Sequence, residues 1–316
     1  MSIVLTPAAP QALLRVSDIA MIGVAIVWGS SYGVAKSALA FYPVLGFLAV
    51  RFILTFALLL PSLLRASARQ QGDALRTGMP LGILMLAIFL CETFGVANTQ
   101  ASNAAFLISL CVVFTPFVEW WMARIGPPRA MFLFAGVSLA GALLLSGGLS
   151  GALGFGDGLM LAAALLRAIT VCQTSRLTRG STAPALVLTA VQSGVIGFGC
   201  LILAVAASDG LPALPVAAAF WQSTAYLVLG CTLFAFYAQN WALRHSSPSR
   251  VALLTSSEPV FGALFAVFWL GESLTVAGWL GGGLMVVAAL WACASGNGWH
   301  GLYRLHLAAS GLTRAA

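Results

Sequence analysis

Apolar stretches of about 20 residues recur along this chain, and each is long enough to cross a bilayer as one helix. Short polar or Gly- and Pro-containing turns separate ten of them. They run over residues 18–39, 44–64, 78–98, 104–123, 130–149, 156–176, 184–206, 219–242, 251–270 and 276–296. Only 7% of the residues are charged, against about 25% in soluble domains, so lipid must surround most of the chain. The sequence therefore predicts an all-α membrane protein with ten transmembrane helices, embedded in a lipid bilayer.

The basic residues indicate the orientation of these spans. With the N-terminus inside, twelve of the fifteen lysine and arginine residues fall in inner loops and tails, and the outer loops hold none. We therefore expect both termini in the cytoplasm, with an N-terminal segment at 1–17 and a tail at 297–316. The net charge of +7 does not indicate nucleic-acid binding, because the basic residues form no continuous face or run.

Cysteine usage and composition indicate the compartment. The six cysteines lie within apolar stretches and have no C-x-x-C spacing, so we expect neither disulfides nor a metal site, and no cofactor is indicated. A single lysine, together with abundant alanine and glycine, is typical of a GC-rich bacterial genome. The expected location is therefore the bacterial inner (plasma) membrane.

The two halves of the chain resemble each other. Three segments match in the same order at shifts of 141 to 147 residues, for example 43–51 with 184–192. Each copy holds five spans, and because five is odd the second copy must be inverted relative to the first. We expect the first repeat at 18–149 and the second at 150–296. Inverted repeats are typical of transporters, which open a central site to each side in turn; a duplication kept for stability alone would leave the same pattern.

Ionisable residues deep within predicted spans are costly, and each therefore requires a partner or a role. Glu258 lies near mid-membrane and precedes Pro259, which removes a backbone hydrogen bond and can loosen the helix. Its carboxylate could bind a proton or an amine. Arg167 lies at a similar depth, and the two side chains could equally pair to fix the packing.

A second polar set follows from the repeat. Arg51 and Glu92 align with Gln192 and Gln239, so we expect all four side chains to face a shared interior. An Arg51–Glu92 salt bridge is the structural alternative to a substrate-binding role. Glu119 lies nearer the inner surface, where we expect its carboxylate to reach water or to pair locally.

Aromatic and small residues complete the candidates. Trp28, Tyr32 and Asn240 could line a cavity with the polar set, although aromatic residues more often face lipid. Gly278 and Gly282 form a GxxxG face, which permits close helix packing and is compatible with a homodimer.

Ordered short motifs run through both halves of the chain. They are Trp28-Gly29-Ser30-Ser31, Arg51-Phe52, Ala101-Ser102-Asn103-Ala104-Ala105-Phe106-Leu107, Gln239-Asn240-Trp241-Ala242, Ser247-Pro248, Glu258-Pro259-Val260-Phe261 and Gly271-Glu272. In order and spacing they resemble the EamA family of the drug/metabolite transporter superfamily, over residues 18–296. The resemblance implies two inverted five-helix repeats around a central cavity, alternating access, and commonly export of metabolites, amino acids or drugs. Arg167 departs from it, because similar proteins usually have an aromatic or apolar residue there.

These observations favour a secondary transporter of a small-molecule substrate. No GxxxxGK[ST] run occurs, so ATP does not drive it directly, while proton coupling, uniport and exchange stay open. An enzyme is not expected, because the three histidines lie at inner loops or the tail and no HExxH or GxSxG occurs. A receptor-like or structural membrane protein is the other alternative, but the linkers leave no room for a soluble partner-binding domain. Amino acids, sugars, purines and lipophilic drugs are all compatible substrates.

Overall fold

The computed structural model describes residues 11–99, 107–123, 129–145, 154–207, 213–270 and 274–294. Within these ranges the chain is helical and contains no strand. The main helices are α1 Gln11–Leu39, α2 Val44–Arg65, α3 Ala68–Ala97, α4 Cys111–Ala123, α5 Arg129–Leu145, α6 Phe155–Leu177, α7 Ala185–Ala207, α8 Ala218–His245, α9 Pro248–Thr255, α10 Glu258–Leu270 and α11 Val276–Ala294.

Six of these helices, namely α1, α2, α3, α6, α7 and α8, are long and apolar enough to cross a bilayer. Shorter apolar helical stretches run over Leu107–Met122, Arg129–Leu145 and Val276–Ala288. The prediction of an all-helical membrane protein is confirmed. The number of ten crossings stays a prediction.

The third helix begins ten residues before the predicted span. Ser67 and Gln70 form a capping box, in which the Ser67 hydroxyl accepts from the Gln70 N–H at 3.3 Å and Gln70 Oε1 accepts from the Ser67 N–H at 3.0 Å. These bonds satisfy two backbone donors that the helix start would otherwise leave unpaired. The polar residues that the sequence pattern assigned to a loop therefore form the first turns of α3.

The eighth helix contains a π-helical segment that hydropathy did not predict. It spans Leu227–Phe234, and within it the Thr232 hydroxyl donates to the carbonyl of Leu227 at 2.9 Å. The wider turn also leaves the Cys231 carbonyl able to accept from Trp28 Nε1 at 2.9 Å. Such π segments are frequent at functional sites, because they re-aim side chains and carbonyls.

The ninth predicted span is interrupted, as the position of Pro259 suggests. α9 ends at Thr255, a turn at Ser256 and Ser257 follows, and α10 begins at Glu258 with Pro259 in its first turn. Proline is tolerated there because the first residues of a helix have no intrahelical acceptor for their N–H groups. The break leaves Glu258 at a helix start in the middle of the bundle.

The halves of the chain pack reciprocally. α1 packs against α8 and α10 of the second half, while α6, the corresponding first helix of that half, packs against α3 and α4. The second helices of the two halves, α2 and α7, pack together, as do the fifth, α5 and α11. The interior between the halves is therefore built from equivalent helices of both.

Two glycines explain the close approach of α5 and α11, and neither belongs to the predicted Gly278–Gly282 pair. A Cβ atom at Gly141 would lie 2.6 Å from the carbonyl oxygen of Gly281, and one at Gly281 would lie 2.4 Å from that of Gly141. Around Gly278 and Gly282 a Cβ would meet only side chains, at 3.3 Å or more. The small-residue contact is thus within one chain, and a homodimer stays a prediction.

Candidate functional site

A cavity of about 450 Å³ lies between the two halves. Its charged lining residues are Arg51 on α2, Glu92 on α3, Arg167 on α6 and Glu258 on α10. Trp28 and Gln239 also line it, so the structure brings six of the nine predicted site residues to one cavity. Two arginines and two glutamates leave the lining with no net formal charge.

Arg167 joins two glutamates from different halves of the chain. Its Nη1 lies 3.2 Å from Glu258 Oε2, and its Nε lies 3.8 Å from Glu92 Oε2. The side chains of Arg167, Glu92 and Glu258 are 18%, 15% and 5% exposed, respectively, so all three are largely shielded from solvent. The cluster has a formal charge of −1, because two carboxylates share one guanidinium.

Trp28 positions this cluster from the side of α1. Arg167 Cζ lies 5.0 Å from the Trp28 ring centroid, within the range of a cation–π contact. Trp28 itself is fixed by its hydrogen bond to the Cys231 carbonyl in the π segment of α8. Trp28 in the first half of the chain thus contacts the guanidinium of Arg167 in the second half.

The backbone around Glu258 explains why its carboxylate lies where it does. Glu258 is the first residue of α10, where the positive end of the helix dipole stabilises an anion. Gly29 allows α1 to approach this point, since a Cβ there would lie 2.5 Å from the Glu258 carbonyl oxygen. Gly29 and Trp28 are adjacent in the sequence, so one motif supplies both the close approach and the aromatic contact.

Arg51 occupies a different part of the cavity wall. Its Nε donates to Thr232 Oγ1 at 2.9 Å, and its Cζ lies 5.2 Å and 5.6 Å from the ring centroids of Phe52 and Phe89. No carboxylate of the described residues lies within salt-bridge distance of Arg51, because Glu92 pairs with Arg167. The alternative Arg51–Glu92 salt bridge is therefore wrong, and the other Arg51 N–H groups have no hydrogen-bond partner among the described residues.

The remaining predicted residues lie elsewhere. Asn240 Nδ2 donates to Gln192 Oε1 at 2.7 Å and to Thr189 Oγ1 at 3.0 Å, and this buried amide cluster is not part of the cavity lining. The shared interior predicted from the repeat therefore includes Gln239 but not Gln192. The side chain of Tyr32 lies outside the described residues.

The cavity reaches toward one face of the bundle. Its lining extends to Ala40, Ala97 and Thr99, at the ends of α1 and α3 that the arginine pattern predicts to be outside. The Thr99 hydroxyl donates to Asp157, which links this rim to the start of α6. No described residue from the turns on the predicted cytoplasmic side of the bundle lines the cavity.

The charged side chains of the cavity can themselves contact charged groups of a bound molecule. The part of the chain that the structure describes contains no group of three or more His, Cys, Asp or Glu arranged to hold a metal ion. The Glu92–Arg167–Glu258 cluster and Arg51 are suited to bind charged groups of a small molecule, through charge-assisted hydrogen bonds in a site of low dielectric.

A helical membrane bundle with a charged cavity between two related halves is the arrangement of a membrane transporter. A family model described as the EamA-like transporter family matches residues 15–147 and again residues 154–293. The chain belongs to this family, and the resemblance inferred from its motifs is confirmed. It is an integral membrane protein and a membrane transporter.

Similar sequences and a similar solved structure are consistent with this assignment. An "Uncharacterized transporter" of Archaeoglobus fulgidus is 28% identical over 306 residues, covering 87% of this chain and 84% of the relative. The "Uncharacterized inner membrane transporter YedA" of Escherichia coli K12 is 26% identical over 275 residues, covering 86% and 88%. A known crystal structure superimposes with a TM-score of 0.69 at 17% identity, covering 89% of this chain and 96% of the other, which supports the fold alone.

Proposed function

We propose that the protein is a secondary transporter that exports amino acids or related small metabolites by alternating access. The observation that carries this proposal is the charge arrangement of the cavity. One arginine, Arg51, has guanidinium N–H groups free to bind an anion, while the Glu92–Arg167–Glu258 cluster carries a net negative charge. A substrate with both a carboxylate and an ammonium group complements both parts and keeps the site neutral.

The proposed architecture is ten transmembrane helices in two inverted repeats, at 18–149 and 150–296, with both termini in the cytoplasm. The reciprocal packing of α1 and α6 supports it, because a two-fold axis in the membrane plane would produce such matched contacts. The inner (plasma) membrane is the proposed location, and the printed name of the relative YedA supports it. The asymmetry of basic residues supports the orientation.

Proton coupling through Glu258 is part of the proposal. Its side chain is 5% exposed and shares the single positive charge of Arg167 with Glu92. A substrate ammonium or a proton at Glu258 would each compensate the remaining negative charge. Binding of one then weakens binding of the other, which is the requirement for exchange of proton for substrate.

Export of a lipophilic drug is the second candidate, and the apolar part of the cavity favours it. Trp28, Phe47, Phe89 and Phe236 contribute aromatic surface to the lining. Such walls bind flat apolar molecules without requiring Arg51.

Transport by the purified protein in proteoliposomes tests these proposals. We expect uptake of labelled amino acids to respond to an imposed pH gradient, and Glu258→Gln to abolish it. Asp73→Asn is the matched control, because the Asp73 carboxylate on α3 accepts hydrogen bonds from Thr182 outside the cavity. Full activity of Glu258→Gln would remove Glu258 from the mechanism. Transport of lipophilic dyes without amino acids would favour the second candidate.

A further inference from the structure

A buried ion pair joins the two halves of the chain on the side opposite the cavity opening. Arg250 Nη2 lies 2.6 Å from Asp18 Oδ2, and Arg250 Nε lies 2.9 Å from Asp18 Oδ1. This two-point geometry is the strong form of an arginine–carboxylate contact. The side chains are 4% and 11% exposed, respectively, and 232 positions separate the residues in the sequence.

A second carboxylate binds the same turn of helix. Glu119 on α4 is buried, and it accepts hydrogen bonds from the Ser249 hydroxyl and from the Ser249 N–H, the latter at 3.2 Å. Ser249 and Arg250 lie in the first turn of α9, where negative charge is favoured by the helix dipole. The start of α9 is thus bound by carboxylates from α1 and α4, both in the first half.

The helix held in this way also forms part of the cavity wall. Ala252 and Thr255 of α9 line the cavity, and the turn that follows leads directly to Glu258. One short helix therefore carries the carboxylate-bound turn at one end and the cavity wall at the other. A displacement of α9 would change both together.

Apolar packing fills the space between the carboxylate-bound turn of α9 and the cavity. Met21 and Val24 of α1 pack in one buried cluster with Val251 and Leu254 of α9, and all four are at most 1% exposed. None of these residues, nor Asp18, Glu119, Ser249 or Arg250, lines the cavity. The cavity is thus closed on the side where these contacts lie.

We propose that Asp18, Glu119, Ser249 and Arg250 form a cytoplasmic gate, which must open for the cavity to face the cytoplasm. The assignment goes beyond the proposed substrate and rests on the orientation proposed above. A buried ion pair suits a gate, because water entering from the cytoplasm hydrates both charges as they separate. Removing one partner leaves the closed state with an uncompensated buried charge and so favours the open one.

Labelling of a single cysteine tests the gate without any substrate. The six native cysteines are replaced, and Thr93→Cys on α3 places a reporter on the cavity wall. A membrane-impermeant maleimide is added to right-side-out or inside-out vesicles. In the parent protein we expect labelling from the outer face and little from the cytoplasmic face.

Asp18→Asn should raise the cytoplasmic labelling rate about tenfold or more, because the population shifts toward the inward-open state. Ser249→Ala, which removes only the hydroxyl bonded to Glu119, should act in the same direction with a smaller effect and serves if Asp18→Asn does not fold. Asp73→Asn is the control and should leave labelling unchanged, because the asparagine amide oxygen can still accept the hydrogen bonds from the Thr182 N–H and hydroxyl. Unchanged cytoplasmic labelling in a monodisperse Asp18→Asn or Ser249→Ala protein would overturn the gate. Because no substrate is needed, this outcome is independent of a failure to transport amino acids.

Discussion

Arg167 Nη1 lies 3.2 Å from Glu258 Oε2, and this contact joins α6 to the helix start in the middle of the ninth predicted span. The same guanidinium reaches Glu92 on α3 and lies over the ring of Trp28 on α1. Four helices from both halves therefore meet at one side chain. Arg167 has a structural role and a place in the cavity wall at the same time, so pairing and substrate binding are not alternatives here.

Arg167→Leu should destabilise the protein, because it leaves Glu92 and Glu258 facing each other without a cation. Breaking a buried ion pair from one side costs about 3–5 kcal/mol, and we expect about 3 kcal/mol here because the Arg167 side chain keeps 18% exposure. Thermal unfolding in detergent measures the loss. Arg176→Leu, an exposed arginine on the same helix, should leave the unfolding midpoint unchanged. Equal midpoints for the two variants would contradict the structural role of Arg167.

Arg51→Gln should weaken binding of carboxylate substrates while leaving the fold intact. A hydrogen bond to a charged group contributes about 1.5–3 kcal/mol, so KM for an amino acid should rise about 10- to 150-fold. The measurement is concentration-dependent transport in proteoliposomes, with KM and kcat determined separately. The amine analogue that lacks the carboxylate supplies the comparison, since its KM should not depend on Arg51. A similar rise in KM for both compounds would show that Arg51 acts on the shape of the site and not on the carboxylate.

Most of the fold followed from patterns that a sequence displays directly. Apolar length set the helices, and the motif order identified the family. The candidate site followed in part, because the cost of burying Arg51, Glu92, Arg167 and Glu258 singled them out. Pairing of Arg167 with Glu258, 91 residues away, was one of the alternatives because the two lie at similar depth. The contact of Arg167 with Glu92 did not follow, because the alternative for Glu92 was a salt bridge with Arg51.

Other features depend on tertiary packing and left no local signal. The π segment that presents Thr232 to Arg51 has an ordinary apolar sequence. Glu119 was expected to reach water or pair locally, yet its partner Ser249 is 130 residues away in the other half. Asp18 lies at the start of the first predicted span, where a carboxylate costs little, so its position in the sequence does not indicate a buried partner. The cytoplasmic gate is built from these residues, so it becomes recognisable only once the halves are packed together.

Gly281→Leu should disrupt the contact between α5 and α11 and thereby destabilise the bundle. The new Cβ alone would lie 2.4 Å from the Gly141 carbonyl oxygen and 2.7 Å from the Leu145 nitrogen, and backbone atoms cannot move aside as a flexible side chain can. Overpacking of this kind costs about 1–3 kcal/mol, and more when the helices must separate. Gly283→Leu is the matched control on the same helix, because a Cβ there meets nothing within 4 Å. Thermal unfolding should give a lower midpoint for Gly281→Leu only.

Size-exclusion chromatography then separates this effect from dimerisation, since an intramolecular contact predicts the same oligomeric state for both variants. A loss of dimer in Gly281→Leu with an unchanged unfolding midpoint would instead assign this glycine to an interface between chains.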